Sequence, residues 1–314
     1  MFGLKEEFNK HLKSQYPNKN NQNEVVFIKT LVDVLGYRYY SYSRMVHHVL
    51  VEHNLQHNHN LQDPVSCEIA DILMLFIDGE NMRYTFMQNK YDQETAYGPR
   101  YTLRKVYADN IQWDLLHYRC SLTSAPKELP TDCLSSAILD SAASYGIFVR
   151  ESTTDTVNMS YSIARDLIPN RMKIIKSQNS HCAFDIVSQY NMIQMHISGS
   201  FEMQGTQDLD EFELAAQNML VGSPLDMSCQ EHRDLAIAFL GYALKSFESN
   251  QHAENFIRYK KLIDDFVGYH KLNEEIEKID LPFNLVIMKA DNDYQDFCPR
   301  VQHYYQKVRF LKER

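Results

Sequence analysis

Three residues in one stretch of this chain have the types needed to act on a phosphate ester: Asp71 in CEIADILMLFI, then Gln88 and Lys90 in RYTFMQNKY. Side chains alternate along an extended strand, so Gln88 and Lys90 share a face. If the two segments pair as a hairpin across the turn DGEN, a modest choice of register sets Asp71 opposite one of them. A carboxylate, an amide oxygen and an ammonium then meet on an otherwise apolar hairpin. Oxygen donors of this kind suit Mg2+ or Mn2+, so the expected metal ligands are Asp71 and Gln88. An ion held there polarises a phosphorus–oxygen bond and acidifies a bound water. Lys90 would help activate that water and offset charge developing on the phosphate. The reaction such a group supports is hydrolysis of a phosphodiester. Glu24 is the fourth candidate for catalysis and metal binding. It starts the amphipathic segment EVVFIKTLVDVLGY, on the stripe of Phe27, Ile28, Leu31 and Leu35, and reaches the site if that helix packs on the sheet.

The surrounding chain supplies elements to position these groups. Spacing predicts helices over 5–13 and from Glu24 to a stop at Gly36, then an aromatic strand in YRYYSYSR. A polar connection rich in histidine (His47, His48, His53, His57, His59) leads to the hairpin. Helical patterns follow over 103–118 and 132–144, with a strand in YGIFVRE and a further helix in SYSIARDLI. CAFDIVSQYNMIQMHISG reads as two short strands, and 209–220, 229–247 and 252–279 as helices. LPFNLVIMK reads as a last strand before the basic tail Lys307, Arg309, Lys312 and Arg314. The expected fold class is therefore α/β with a mainly helical C-terminal part, the boundary falling near 175–205.

Composition limits the alternatives. The chain has 314 residues, 44% hydrophobic and 23% charged, with 10 glycines and 9 prolines, which excludes collagenous, linker-dominated or wholly disordered chains. The net charge of −9 is concentrated in residues 201–314, where 20 acidic face 13 basic side chains. The chain thus lacks the strongly basic balance typical of phosphate-binding proteins, while its first two thirds are neutral enough to permit nucleic-acid binding. No apolar run approaches the roughly 20 residues needed to cross a bilayer. The N-terminal segment carries acids and no apolar signal region, giving the expectation of a cytoplasmic protein without membrane partners. Six cysteines stand singly with no CxxC pair, as expected of reduced thiols.

Asp71 followed after a turn by Gln88-Asn89-Lys90 resembles the D…(D/E/Q)xK signature of the PD-(D/E)xK nuclease superfamily, in its QxK form, as in Mrr-like and type II restriction enzymes. Glu24 through Gly36-Tyr37 resembles that family's opening helix, and the element order resembles its αβββαβ core with a mixed central sheet. Ala70 stands where the family often has proline, and Gln88 where an acid is commoner. The resemblance covers about residues 20–150. It implies a nuclease domain over 1–175 and a helical domain over 176–314 for dimerisation or target recognition. It also implies a Mg2+- or Mn2+-dependent endonuclease acting on double-stranded DNA, in restriction or phage defence. Cutting both strands implies a homodimer. The alternatives are a nuclease-like binding or regulatory protein without catalysis, and an interaction protein whose acidic helices dock a partner or mimic DNA.

Other features have plainer readings. Glu68 lies on the opposite face from Asp71 in a regular strand and joins the site only through a bulge. His53 and His57 are spaced i, i+4, but their Asn/Gln-rich surroundings read as an exposed loop rather than a zinc site. Tyr37, Arg38, Tyr39, Tyr40, Tyr42 and Arg44 form an aromatic–basic interleave of the kind that stacks bases, although alternation would turn half of it into the core. Arg165, Arg171, Lys173 and Lys176 form a looser basic run, read as a solvated face.

Overall fold

The computed structural model describes residues 3–43, 50–56, 64–92, 104–151, 154–167, 181–186, 193–195, 201–250, 255–281 and 283–290. Six α-helices occur among them: α1 Leu4–Gln15, α2 Glu24–Arg38, α3 Asn110–Tyr118, α4 Leu209–Gln217, α5 Gln230–Ser249 and α6 Phe256–Tyr269. The strands are β1 Tyr40–Tyr42, β2 Leu50–His53, β3 Val65–Glu68, β4 Ile72–Asp78, β5 Asn81–Asp92, β6 Arg104–Asp109, β7 Leu122–Ser124 and β8 Ala143–Arg150. They continue with β9 Val157–Ile163, β10 His181–Ile186, β11 Ile193–Met195, β12 Phe201–Met203, β13 Gly205–Thr206, β14 Ser223–Pro224 and β15 Asn284–Lys289.

The central sheet runs β1-β15-β4-β5-β8-β9-β13, with β14 also pairing β5. It is mixed: β15 is parallel to β4 and β8 to β5, while the other pairs are antiparallel. A strand between two layers of helices needs apolar residues on both faces. β4 (ILMLFID) meets that need, with every residue from Ile72 to Ile77 buried. Aromatic contacts define the layers. Phe27 of α2 touches Tyr91 and Phe148, Phe8 of α1 stacks on Phe148, and Phe212 of α4 meets Tyr161, all on one face. On the other, Phe239 of α5 packs on Tyr84 and Phe86. Each such buried side chain contributes roughly 1.5–3 kcal/mol. Smaller sheets stand apart: β3-β2-β7, β10-β6 and β11-β12.

Several elements differ from the sequence expectation. CEIADILMLFI is not one strand; it breaks at 69–71 into β3, which joins the small sheet, and β4, which joins the large one. The predicted helix over 103–118 begins only at Asn110, because Asp109 caps it by accepting from the backbone N–H of Ile111 and Gln112 at 2.8 and 3.1 Å. The preceding RKVYAD pairs with β10. Residues 132–144 form turns, a 3-10 turn at Asp140–Ala142 and the start of β8 rather than an α-helix. There Ser136 donates to the carbonyl of Asp132, a local bond that competes with helix. SYSIARDLI begins as the last four residues of strand β9 and continues into a 3-10 turn, since residues 160–163 pair antiparallel with β8. Gly36 does not stop α2, which runs on to Arg38. A Cβ at position 36 would lie 2.4 Å from Ser41 Oγ, so the glycine lets β1 turn back closely over the helix. The helix expected over 252–279 is confined to Phe256–Tyr269.

The C-terminal part is not set apart from the sheet. Residues beyond 175 supply β13, β14 and β15, and β15 lies between β1 and β4, one strand in from the edge. LVIM is buried throughout, the requirement for a strand with neighbours on both sides. The first 175 residues therefore lack an interior strand of the sheet until the chain returns.

Candidate metal and phosphate site

β5 outruns its partner. It has 12 residues against 7 in β4, so beyond the start of β4 its backbone loses a strand to bond. The register Ile72↔Met87 continues to Asp71 opposite Gln88. From there the β4-facing N–H groups of Asn89 and Tyr91 would be orphaned, at a cost of about 1–3 kcal/mol each if buried. Two carboxylates take them. Asp71 Oδ2 accepts from the Asn89 N–H at 2.6 Å, and Glu24 Oε2 accepts from the Tyr91 N–H at 3.1 Å. Asp71 and Glu24 thus occupy the sheet edge where β4 would have continued.

Glu24 reaches that edge because it is the first residue of α2, whose N-terminus is capped by Asn23 accepting from the Val26 N–H at 3.1 Å. The helix is held down by the Phe27 contacts with Tyr91 and Phe148. Lys90 Nζ lies 3.7 Å from Glu24 Oε1, with the lysine side chain 15% exposed. Asn89 is buried opposite Gly146, where an added Cβ would sit 2.5 Å from Asn89 Oδ1; glycine leaves room for the amide that also contacts Asp71 at 3.4 Å.

Glu68 also belongs here. The break at 69–71 turns the chain between the two sheets and keeps the Glu68 carboxylate within electrostatic reach of Asp71. Burial pushes the Asp71 carboxyl up to about 7; Glu68 and Glu24 add to the rise, and Lys90 and the Asn89 N–H oppose it. Asp71 therefore feels two other carboxylates and one ammonium, an excess of negative charge that favours a cation.

Gln88 is placed differently from the expectation. It lies on the strand face shared with Lys90 but is buried, and its Oε1 accepts from Gln112 Nε2 at 2.7 Å. Gln112 also donates to the Glu68 carbonyl at 2.9 Å. α3 thereby ties the two halves of the hairpin's approach together. Nothing in the sequence marked Gln112, which stood inside an ordinary helical pattern.

The other sequence candidates separate. Tyr39 and Tyr40 are core residues, and Arg38 is spent on Glu213 and Glu7. The Tyr39 hydroxyl donates to Glu213 at 2.6 Å, so this interleave holds α2 to α4; Tyr37 alone is well exposed, and Arg44 lies outside the described residues. Arg165 pairs with Asp140, and Arg171, Lys173, Lys176 and the basic tail lie outside the described residues, as do His47, His48, His57 and His59. His53 is not in an exposed loop. It ends strand β2 fully buried, beside Asp114 and Cys120.

No family model, curated protein or solved structure matches this chain. Among the described residues, no helix is long and apolar enough to cross a membrane.

Proposed function

We propose that this protein is a divalent-metal-dependent phosphodiesterase of the restriction-endonuclease-like type, acting on double-stranded DNA. The observation that carries the reading is the set of Asp71, Glu24 and Lys90 at the protruding end of β5, with Glu68 adding charge. With β2, β3, β6 and β7 set aside, the order α2, β1, β4, β5, α3 and β8 is compatible with an αβββαβ core, and β15 stands between β1 and β4 in the sheet.

The donor set fits a hard cation: Asp71 and Glu24 offer carboxylate oxygens, and the local charge is negative. Mg2+ or Mn2+ held there supplies Lewis-acid polarisation of the phosphate and acidifies water. Asp71 is oriented by the Asn89 N–H, so its carboxylate is aimed before any ligand arrives. Lys90, only 15% exposed, positions the attacking water and offsets charge on the phosphate, with Glu24 holding the ammonium in place. A homodimer would set two such sites across a duplex.

A second reading, a nuclease-like binding protein without catalysis, is favoured by one observation: the Gln88 oxygen is engaged by Gln112. The two are separated by incubating the purified protein with varied DNAs and Mg2+ or Mn2+, beside Asp71→Ala and Lys90→Ala. The nuclease reading expects cleavage that both substitutions abolish; cleavage surviving both equally rules this site out. Titration calorimetry with Mn2+ then shows whether any binding depends on Asp71.

A further inference from the structure

His53, Asp114 and Cys120 come from three different elements: the end of β2, the middle of α3, and the turn between α3 and β7. β2 alternates exposed and buried positions, so His53 turns inward on the same face as Val51. The side chains of His53 and Asp114 are fully buried, and Cys120 is 6% exposed. One ligand atom from each lies within 4.8 Å of the others.

The spacing is that of a coordination shell. Nitrogen and oxygen donors at about 2.0–2.1 Å from a tetrahedral zinc, and sulfur at about 2.3 Å, stand roughly 3.3–3.6 Å apart. Here His53 Nε2 is 3.5 Å from Asp114 Oδ1, and Cys120 Sγ is 3.9 Å from the same oxygen. The imidazole supplies an independent sign of a missing neighbour: both ring nitrogens are buried and neither has a hydrogen-bond partner. Buried polar atoms are almost always satisfied, and an orphaned imidazole beside a carboxylate and a thiol is aimed at something. Asp114 Oδ1 is itself oriented by the Gln56 backbone N–H at 2.9 Å, the kind of supporting hydrogen bond that ligating carboxylates usually accept.

The geometry points to a buried structural Zn2+ site whose protein ligands are His53, Asp114 and Cys120. A neutral imidazole, one carboxylate and one thiolate match the softness zinc prefers over magnesium. The ion would fasten β2 to α3 and to the turn that follows it, two residues from Gln112. It stands independently of any DNA cleavage.

The test uses the full-length protein grown with zinc, dialysed and assayed for bound metal, then stripped and titrated with Co2+. The expected result is about one zinc per chain, a sulfur-to-cobalt charge-transfer band, and the strong visible bands of a tetrahedral site. Cys120→Ser should lose the retained zinc and the charge-transfer band. His53→Gln, which keeps the Cys120 sulfur, should lose the tetrahedral visible bands, and Asp71→Ala should keep both signals. Circular dichroism identifies variants that remain folded, and one folded ligand variant suffices. Folded wild-type protein that retains no zinc and gives no cobalt–sulfur band overturns the site, leaving a buried His53–Asp114 ion pair. Zinc and cobalt signals unchanged in a folded Cys120→Ser or His53→Gln variant overturn it equally.

Discussion

The end of β5 and the pocket between β2 and α3 both gather acids with a nitrogen-bearing partner, yet they are built for opposite purposes. At β5 the donors are oxygens, Lys90 is partly exposed and Glu24 about a third exposed, and each carboxylate braces a protruding backbone. In the pocket the donors are nitrogen, oxygen and sulfur, sealed from water, and the histidine is left unsatisfied. An accessible, hard, negatively charged edge suits an exchangeable cation and a phosphate. A dry, mixed-donor cluster suits an ion that never leaves. Gln112 and Asp114, on the same helix, link the two.

The sharpest way to break this contrast is at the lysine. Lys90→Ala is expected to lower metal-dependent cleavage on the order of 10³-fold while the folded protein keeps its zinc, as read by initial rates and metal content. A parallel loss of zinc would mean that the two regions are not separable. Next in size, Asp114→Ala should destabilise the fold by about 3 kcal/mol, because it strips the Gln56 N–H and the Cys120 thiol of their acceptor. Denaturant unfolding measures this, and a loss below about 1 kcal/mol would show the pocket carries little weight.

Gln112→Ala tests the link itself. Losing its bonds to Gln88 and the Glu68 carbonyl should cost about 1–3 kcal/mol. If α3 positions the edge, kcat should fall while KM for DNA stays nearly constant. The smallest effect lies outside both regions. Burial, then Glu202 and Asp140, raise the Asp166 carboxyl to about 6 from an ordinary 3.8, and its Oδ2 has no hydrogen-bond partner. The native state binds this proton more tightly than the unfolded state, so the charged form weakens the fold above about pH 6, and the penalty vanishes below pH 3.8. Asp166→Asn should therefore raise Tm at pH 7, with the gain shrinking as pH falls from 6 towards 4; a gain independent of pH would remove the charge as its cause.

The site at β5 was legible because its signal is local. Alternation alone puts Gln88 and Lys90 on one face, and a short turn brings Asp71 back opposite Gln88. Glu24 was legible because helical spacing placed it on the stripe of Phe27 and Leu31. The misread elements were those whose local pattern was ambiguous and whose partners lay far along the chain. β9 and β6 carry few strong strand formers and are extended because β8 and β10 pair with them. The His53 pocket was missed because its donors lie 53, 114 and 120 residues along, with no fixed interval between them.

What the chain determines by itself is periodic: the faces of α2, α4 and α5, the apolar run of β4, and the turn that folds β5 back on it. Those follow from side-chain geometry within a few residues, and no distant contact is needed to set them. Only the tertiary structure decided that β15 enters between β1 and β4, that the corner at 69–71 brings Glu68 to Asp71, and that His53 meets Cys120. Each depends on backbone hydrogen bonds and burial shared between segments tens to hundreds of residues apart, and a linear pattern carries no record of such pairings.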